Sequence, residues 1–237
     1  MSGPPADAAR RVQLADNLAR VRERIERACA RAGRSPGDVT LVVVTKTWPA
    51  ADVLTLADLG VVDVGENRDQ EAAPKAAACV GHGLRWHFVG QLQTNKARSV
   101  ARYADVVHSV DRSRLVTALD AAAGDAGRRL ACLVEVSYGG PAGRGGAPAD
   151  QVGALADQVA ASRQLDLVGL MTVAPVGEDA AAVFTAAAQL RAQVAASHPG
   201  ATWLSAGMSG DLEAAVAAGA THVRVGTAVL GYRPPLR

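Results

Sequence analysis

The chain is short of aromatic rings, cysteine, lysine, net charge and long apolar runs, and each shortage narrows what it can be. Aromatics make up only 3% of its 237 residues, so alanine and valine must fill the core. Net charge is +2, which gives no overall field to recruit nucleic acid or an acidic membrane. Three cysteines, Cys29, Cys79 and Cys132, are odd in number and far apart. They form no metal-ligand spacing and no disulfide framework, and read as small buried hydrophobes in a reducing cytoplasm. No apolar stretch approaches the roughly 20 residues that span a bilayer. Met1-Ser-Gly-Pro-Pro lacks the apolar segment of a signal peptide. Lysine occurs three times, at Lys46, Lys75 and Lys96, against 22 arginines.

What remains is an apolar content of 49%, ample for a sizeable core, arranged in a regular alternation. A first helix is predicted over residues 8–32. Leu14, Leu18, Val21, Ile25 and Ala28 form its apolar stripe. Its arginines, Arg20, Arg22, Arg24, Arg27 and Arg31, are interspersed with Asp16, Glu23 and Glu26 and read as a solvated face. Strands are then predicted at 39–45, 61–65, 86–90, 105–109, 130–136, 166–171, 202–205 and 222–226. Helices fit near 50–59, 67–79, 94–103, 111–124, 150–163, 179–197 and 210–218. No linker or shift of composition divides residues 1–237. Eight strand–helix units in a single domain are the signature of a (β/α)8 TIM-type barrel, here with an extra N-terminal helix. A doubly wound open sheet is the alternative, but it wants a glycine-rich first turn, and the turn here is Lys46-Thr-Trp-Pro49.

In such barrels functional residues gather at the C-terminal ends of the strands. Lys46 ends the apolar run Leu41-Val-Val-Val-Thr-Lys46, where lost hydration is expected to lower its pKa and free an amine for Schiff-base chemistry. Gly207-Met208-Ser209-Gly-Asp211 leads into a helix. With Ser209 as a cap, and with Gly226-Thr227 on the next strand, it suggests a phosphate cradle. Arg224, mid-strand on the face opposite Val223 and Val225, needs a partner, either a carboxylate such as Glu66 or Glu135 or a ligand. Asn67 orients a ligand hydroxyl or caps the next helix. His87 and His108 read as satisfied core histidines, Met171 as packing, and Lys96 as either a surface charge or a phosphate clamp. Gly139 to Gly146 lacks the Gly-Lys-Ser/Thr of a P-loop.

Seven segments carry a resemblance over nearly the whole chain, from about residue 12 to Gly231. They are Val43-Val-Thr-Lys-Thr47, Val64-Gly-Glu-Asn-Arg-Asp-Gln-Glu71, Trp86-His-Phe-Val-Gly-Gln-Leu-Gln-Thr-Asn-Lys96, His108-Ser-Val-Asp111, Gly169-Leu-Met-Thr172, Leu204-Ser-Ala-Gly-Met-Ser209 and Val223-Arg-Val-Gly-Thr227. In these the sequence resembles the pyridoxal 5′-phosphate (PLP) homeostasis proteins (the YggS/PROSC group), barrels like the N-terminal domain of alanine racemase. The resemblance implies that Lys46 holds PLP as a Schiff base, that Ser209, Gly226 and Thr227 hold its phosphate, and that Met208 also binds the cofactor. Asn67 would lie against the cofactor and Arg224 would face the pyridine nitrogen. Many members carry a Ser-Lys-x-Gly element after strand five, where this chain has Gly143-Arg-Gly-Gly146, with Arg144 near the expected lysine.

The function so implied is intracellular PLP (vitamin B6) homeostasis by a cytoplasmic, monomeric carrier without turnover, serving amino acids or PLP-requiring apoenzymes, and binding neither metal, nucleic acid nor membrane. A PLP-dependent, racemase-like enzyme is the alternative, with Tyr138 the tyrosine worth testing. A Schiff-base aldolase barrel, which usually carries its lysine on a later strand, is a third.

Overall fold

The computed structural model describes residues 6–139 and 145–232. Eight parallel strands close on themselves in sequence order: β1 (Thr40–Val44), β2 (Asp63–Glu66), β3 (Arg85–Phe88), β4 (Val106–Val110), β5 (Leu130–Val136), β6 (Leu165–Thr172), β7 (Trp203–Ser205) and β8 (His222–Val225). Closure is made by β1 against β8, with Val42 beside Arg224 and Val43 beside Val225. The helices are α1 (Ala6–Arg31), α2 (Ala50–Asp58), α3 (Asp69–Ala78), α4 (Ala97–Val100), α5 (Ser113–Asp125), α6 (Val152–Ala161), α7 (Ala180–Ser197), α8 (Leu212–Ala217) and α9 (Thr227–Leu230). The barrel with its extra N-terminal helix is therefore the fold the sequence predicts. Two details differ. The predicted helix at 94–103 is a 3₁₀ turn followed by the four-residue α4. Thr227 begins a short helix that the strand reading had merged with β8.

Strand alternation sorts the residues. Val43, Val64, Trp86, Val223 and Val225 pack outward against α1 and α2, in a layer that includes Leu14, Leu18, Val21 and Ile25. A second outer layer joins Phe88, Val107, Cys132, Val134, Leu170 and Leu204 to helices α5, α6 and α7. The inward apolar cluster is small: Val106, Leu133 and Met171 are its buried members. Beside it the buried polar residues include His87, His108, Ser205, His222 and Arg224.

The first helix is more than a solvated face. Arg24 donates to both carboxylate oxygens of Glu213 at 2.9 Å and to the Ser209 carbonyl at 3.0 Å. Asn17 donates to the carbonyl of Val229 and Arg10 to that of Leu230. Three side chains of α1 therefore clasp the segments after β7 and β8, and of these Arg24 belongs to the face expected to be solvated.

A buried ion pair fastens α3 to the barrel wall. Lys75 Nζ lies 2.5 Å from Glu66 Oε1 and donates to the Thr45 carbonyl at 2.8 Å, while Thr45 Oγ1 donates to the same carboxylate. Removing one partner of such a pair strands the other charge. Lys75→Met is expected to cost about 3–5 kcal/mol in urea denaturation. Combining it with Glu66→Gln should recover much of that loss; an equal loss in the double variant would assign the cost to packing instead.

Candidate functional site

At the C-terminal mouth of the barrel lies a cavity of about 520 Å³, within the range usual for small-molecule sites. Lys46, Asn67, Met208, Ser209, Arg224, Gly226 and Thr227 all border it. Elements far apart in sequence thus bring every expected site residue to one place. Arg144 falls outside the described residues.

Lys46 follows β1 in an exposed turn. The protein's own side chains do not desolvate it, contrary to the sequence expectation, because the chain leaves the strand at Thr45 and turns toward solvent. Thr47 next to it has φ 67°, a left-handed conformation costly for a β-branched residue. Its N–H donates to Glu71 Oε2 at 2.8 Å, so α3 holds the turn that carries Lys46. Asn67 does not cap α3, whose N-cap is Arg68. Its carbonyl passes so close to Gly90 that a Cβ there would stand 2.2 Å from the oxygen; only glycine fits.

The loop after β7 also departs from expectation. Ser209 does not cap α8, which starts at Leu212 after Asp211. Asp211 instead accepts the Met208 N–H at 2.5 Å, which removes that donor from any anion cradle. Gly207, at φ 90°, packs where a Cβ would lie 2.5 Å from the Ala215 Cβ. Arg24 holds the Glu213 carboxyl below its usual range through their hydrogen bond, fixing the outer side of this loop. After β8, Gly226 caps α9, and its carbonyl accepts from Val229 and Leu230. The N–H groups of Thr227 and Ala228 open that first turn, where helix geometry supplies no partner.

Arg224 is buried, at 4% exposure. Nη1 donates to Ser205 Oγ at 2.6 Å and Nη2 to the Thr172 carbonyl at 2.9 Å; of the carboxylates expected from sequence, Glu66 is taken by Lys75 and Thr45, and Glu135 acts on the guanidinium through its charge. Burial pushes its pKa down to about 10, against the charges of Glu135 and Asp211, which favour the cation. It remains protonated at neutral pH. Lys96 lies 3.8 Å from Asp69 and does not border the cavity.

Residues 17–234 match the family model described as alanine racemase, N-terminal domain. The chain belongs to that family. The pyridoxal phosphate homeostasis protein of Mycobacterium tuberculosis is 46% identical over 243 residues, covering 94% of each chain. Its counterpart in Escherichia coli K12 is 37% identical, covering 93% of this chain and 97% of its own. The structure of PipY from Synechococcus elongatus, solved with PLP bound, superposes with a TM-score of 0.81 at 36% identity, covering 92% of this chain and all of that one.

This member of the alanine racemase N-terminal domain family has further cavity residues that the sequence reading passed over. They are Val44, Thr47, Trp48, Val89, Val173, Gly210, Gly231 and Tyr232. Trp48 had a signal, since it adjoins Lys46; Arg10 covers its ring at 4.4 Å. Tyr232 rather than Tyr138 is the tyrosine at the rim. His87 and His108 are satisfied core histidines, as read.

Beneath the cavity, burial drives His108 well below its ordinary value and His222 down to about 3. Both rings are neutral when folded, whereas each takes a proton in the unfolded chain below about pH 6.5. Unfolding therefore takes up protons, and stability falls as pH drops through that value. Two such histidines predict a loss of roughly 3 kcal/mol between pH 7.5 and 5.5, read from urea midpoints. His222→Phe should halve the slope, and a flat wild-type profile would mean that the rings are charged in the fold.

Proposed function

We propose that the cavity binds PLP and that the protein stores and hands on the cofactor without turning over a substrate. The observation that carries this reading is the pairing of a lysine amine and a buried guanidinium on one cavity, beside the hydroxyls and backbone of the β7 and β8 loops. The chemistry of the donor set fits the cofactor. When bound, PLP supplies an aldehyde that a neutral amine captures reversibly. Lys46 is the amine at the cavity. Ser209, Gly226 and Thr227 offer hydroxyl and N–H donors to a phosphate, and Gly226 is held closely against β1, where a Cβ would stand 3.1 Å from the Val44 carbonyl oxygen. Met208 and Asn67 border the same cavity.

Arg224 in this reading donates a hydrogen bond to the pyridine nitrogen. A guanidinium keeps its proton at neutral pH, so that nitrogen stays unprotonated and the ring is a weak sink for electrons. Storage is favoured over carbanion chemistry. The names of the relatives support a homeostatic role. We infer further that one barrel domain does this as a cytoplasmic monomer, with amino acids and PLP-requiring apoenzymes as the acceptors. Among the described residues no helix is long and apolar enough to cross a membrane. A racemase-like enzyme is the second reading, favoured by Tyr232 at the rim. At 91% exposure that phenol lacks the fixed placement a second acid–base group requires.

The decisive experiment is the visible spectrum of the protein with PLP, beside Lys46→Ala, followed by borohydride trapping and peptide mapping. A yellow band absent from the variant, with the label on Lys46, is expected. Label on Lys75 or Lys96 would overturn the assignment. Incubation of the loaded protein with amino acids in D₂O should put no deuterium on the α-carbon at an enzymatic rate; rapid incorporation would favour the enzyme.

A further inference from the structure

A continuous chain of hydrogen bonds crosses the barrel interior below the cavity. Asp63 Oδ1 lies 2.8 Å from His87 Nε2. His87 Nδ1 lies 2.8 Å from His108 Nε2, His108 Nδ1 lies 2.9 Å from Ser205 Oγ, and Ser205 Oγ accepts from Arg224 Nη1 at 2.6 Å. Its members come from β2, β3, β4, β7 and β8, so the His108–Ser205 bond spans the lumen between walls that share no strand pairing. All five are buried, and no residue outside the chain supplies Ser205 Oγ with another partner among those described.

With His108 kept neutral by burial and Asp63 ionised, proton accounting leaves two arrangements. In the first, Ser205 donates to His108 Nδ1, His108 Nε2–H donates to His87 Nδ1, and His87 Nε2–H donates to Asp63. Every bond then points from the guanidinium to the carboxylate, both rings are neutral, and each donor has one acceptor. In the second, His108 Nδ1–H donates to Ser205, which requires His87 Nδ1–H to donate to His108. His87 must then be an imidazolium to satisfy Asp63. That arrangement buries an additional cation and leaves the Ser205 proton without an acceptor, while its oxygen receives two donors. Buried unpaired donors and like charges are both costly.

We propose that Asp63, His87, His108 and Ser205 form a one-way relay in which Ser205 is the positioning residue for Arg224. Asp63 fixes the tautomer of His87, and His87 fixes that of His108. His108 takes the serine proton and leaves the oxygen lone pairs to the guanidinium. Arg224 is held between Ser205 Oγ and the Thr172 carbonyl with its plane set before any ligand arrives. At the far end Arg85 Nε pairs with the same Asp63 oxygen at 2.9 Å, which keeps the carboxylate an acceptor. This deepens, and rests on, the reading that Arg224 meets the pyridine ring of PLP in the cavity.

The test begins without ligand. Nitrogen-15 NMR of the histidine rings at neutral pH is expected to show His87 and His108 both neutral and both protonated on Nε2. A doubly protonated His87, or His108 carrying its proton on Nδ1, overturns the relay. PLP titration of Ser205→Ala and Ser205→Thr then tests the positioning role. The alanine variant should bind PLP about tenfold more weakly, equivalent to about 1.4 kcal/mol, and threonine, which keeps the hydroxyl, should restore most of the affinity. Wild-type affinity in Ser205→Ala, or an equal loss in both variants, overturns that role. If wild-type protein takes up no PLP at all, the reading of the cavity falls, while the ring protonation still decides the relay.

Discussion

A guanidinium inside a parallel barrel is almost wholly cut off from water, as Arg224 is, and the arrangement of the other interior groups follows from that. Arg224 sits on an inward position of β8 because Val223 and Val225 need the outer apolar layer. Its donors must then be met inside the lumen, where the Thr172 carbonyl and the Ser205 hydroxyl meet them. A serine that accepts from a cation must send its own proton elsewhere, and His108 is within reach across the lumen. His87 and Asp63 complete the series. Burial presses the Asp63 carboxyl upward, but its hydrogen bond to His87 and the Arg85 guanidinium beside it leave its pKa below the usual carboxylate value. The polar floor of the cavity is therefore a consequence of one buried charge, and the apolar filling of the lumen is correspondingly small.

The rim is governed from outside. Helix α1 precedes the first strand, yet its Arg10, Asn17 and Arg24 reach the segments that follow the last two strands. Closing a loop of that length carries an entropic cost that grows only slowly with length, so a clasp between chain ends is thermodynamically accessible. Glu71 acts similarly on the Thr47 turn. Strained or short segments at the mouth are thus each tied to a helix rather than left to their own propensities. Positioning of this kind is what a ligand site on loops requires if it is to be formed before the ligand binds.

Most of the barrel was legible because parallel strands buried on both faces read as apolar runs. The run ending at Val44 and the β5 segment 130–136 are examples, the latter observed at the same bounds. Glycines at the helix ends, Gly60 and Gly219, adopt the positive φ that commonly closes a helix. The cavity residues were legible for a related reason: in this fold the strand ends converge, so naming the ends names the site. What stayed hidden depends on contacts between segments distant in sequence. The exposure of Lys46 follows from where the chain turns after Thr45, and the bonding of Arg24 from where α8 is packed. The true start of α8 was obscured because Ser209 and Asp211 are both good caps and only the folded loop decides between them.

The two cations of the cavity illustrate how burial divides tasks between similar groups. Lys46 is exposed on a turn and can meet a ligand from solution, whereas Arg224 is buried and cannot move without breaking two hydrogen bonds. An exposed amine and a buried donor on one cavity suit a ligand that must be captured and later surrendered: the buried group sets orientation and the exposed one makes and breaks the bond. Besides these two cations, the described residues that border the cavity include the solvated phenol of Tyr232 and the apolar side chains of Val89 and Val173. Lys46 alone combines an amine, exposure and a place on this cavity, since Lys75 is committed to Glu66 and Lys96 lies beside Asp69.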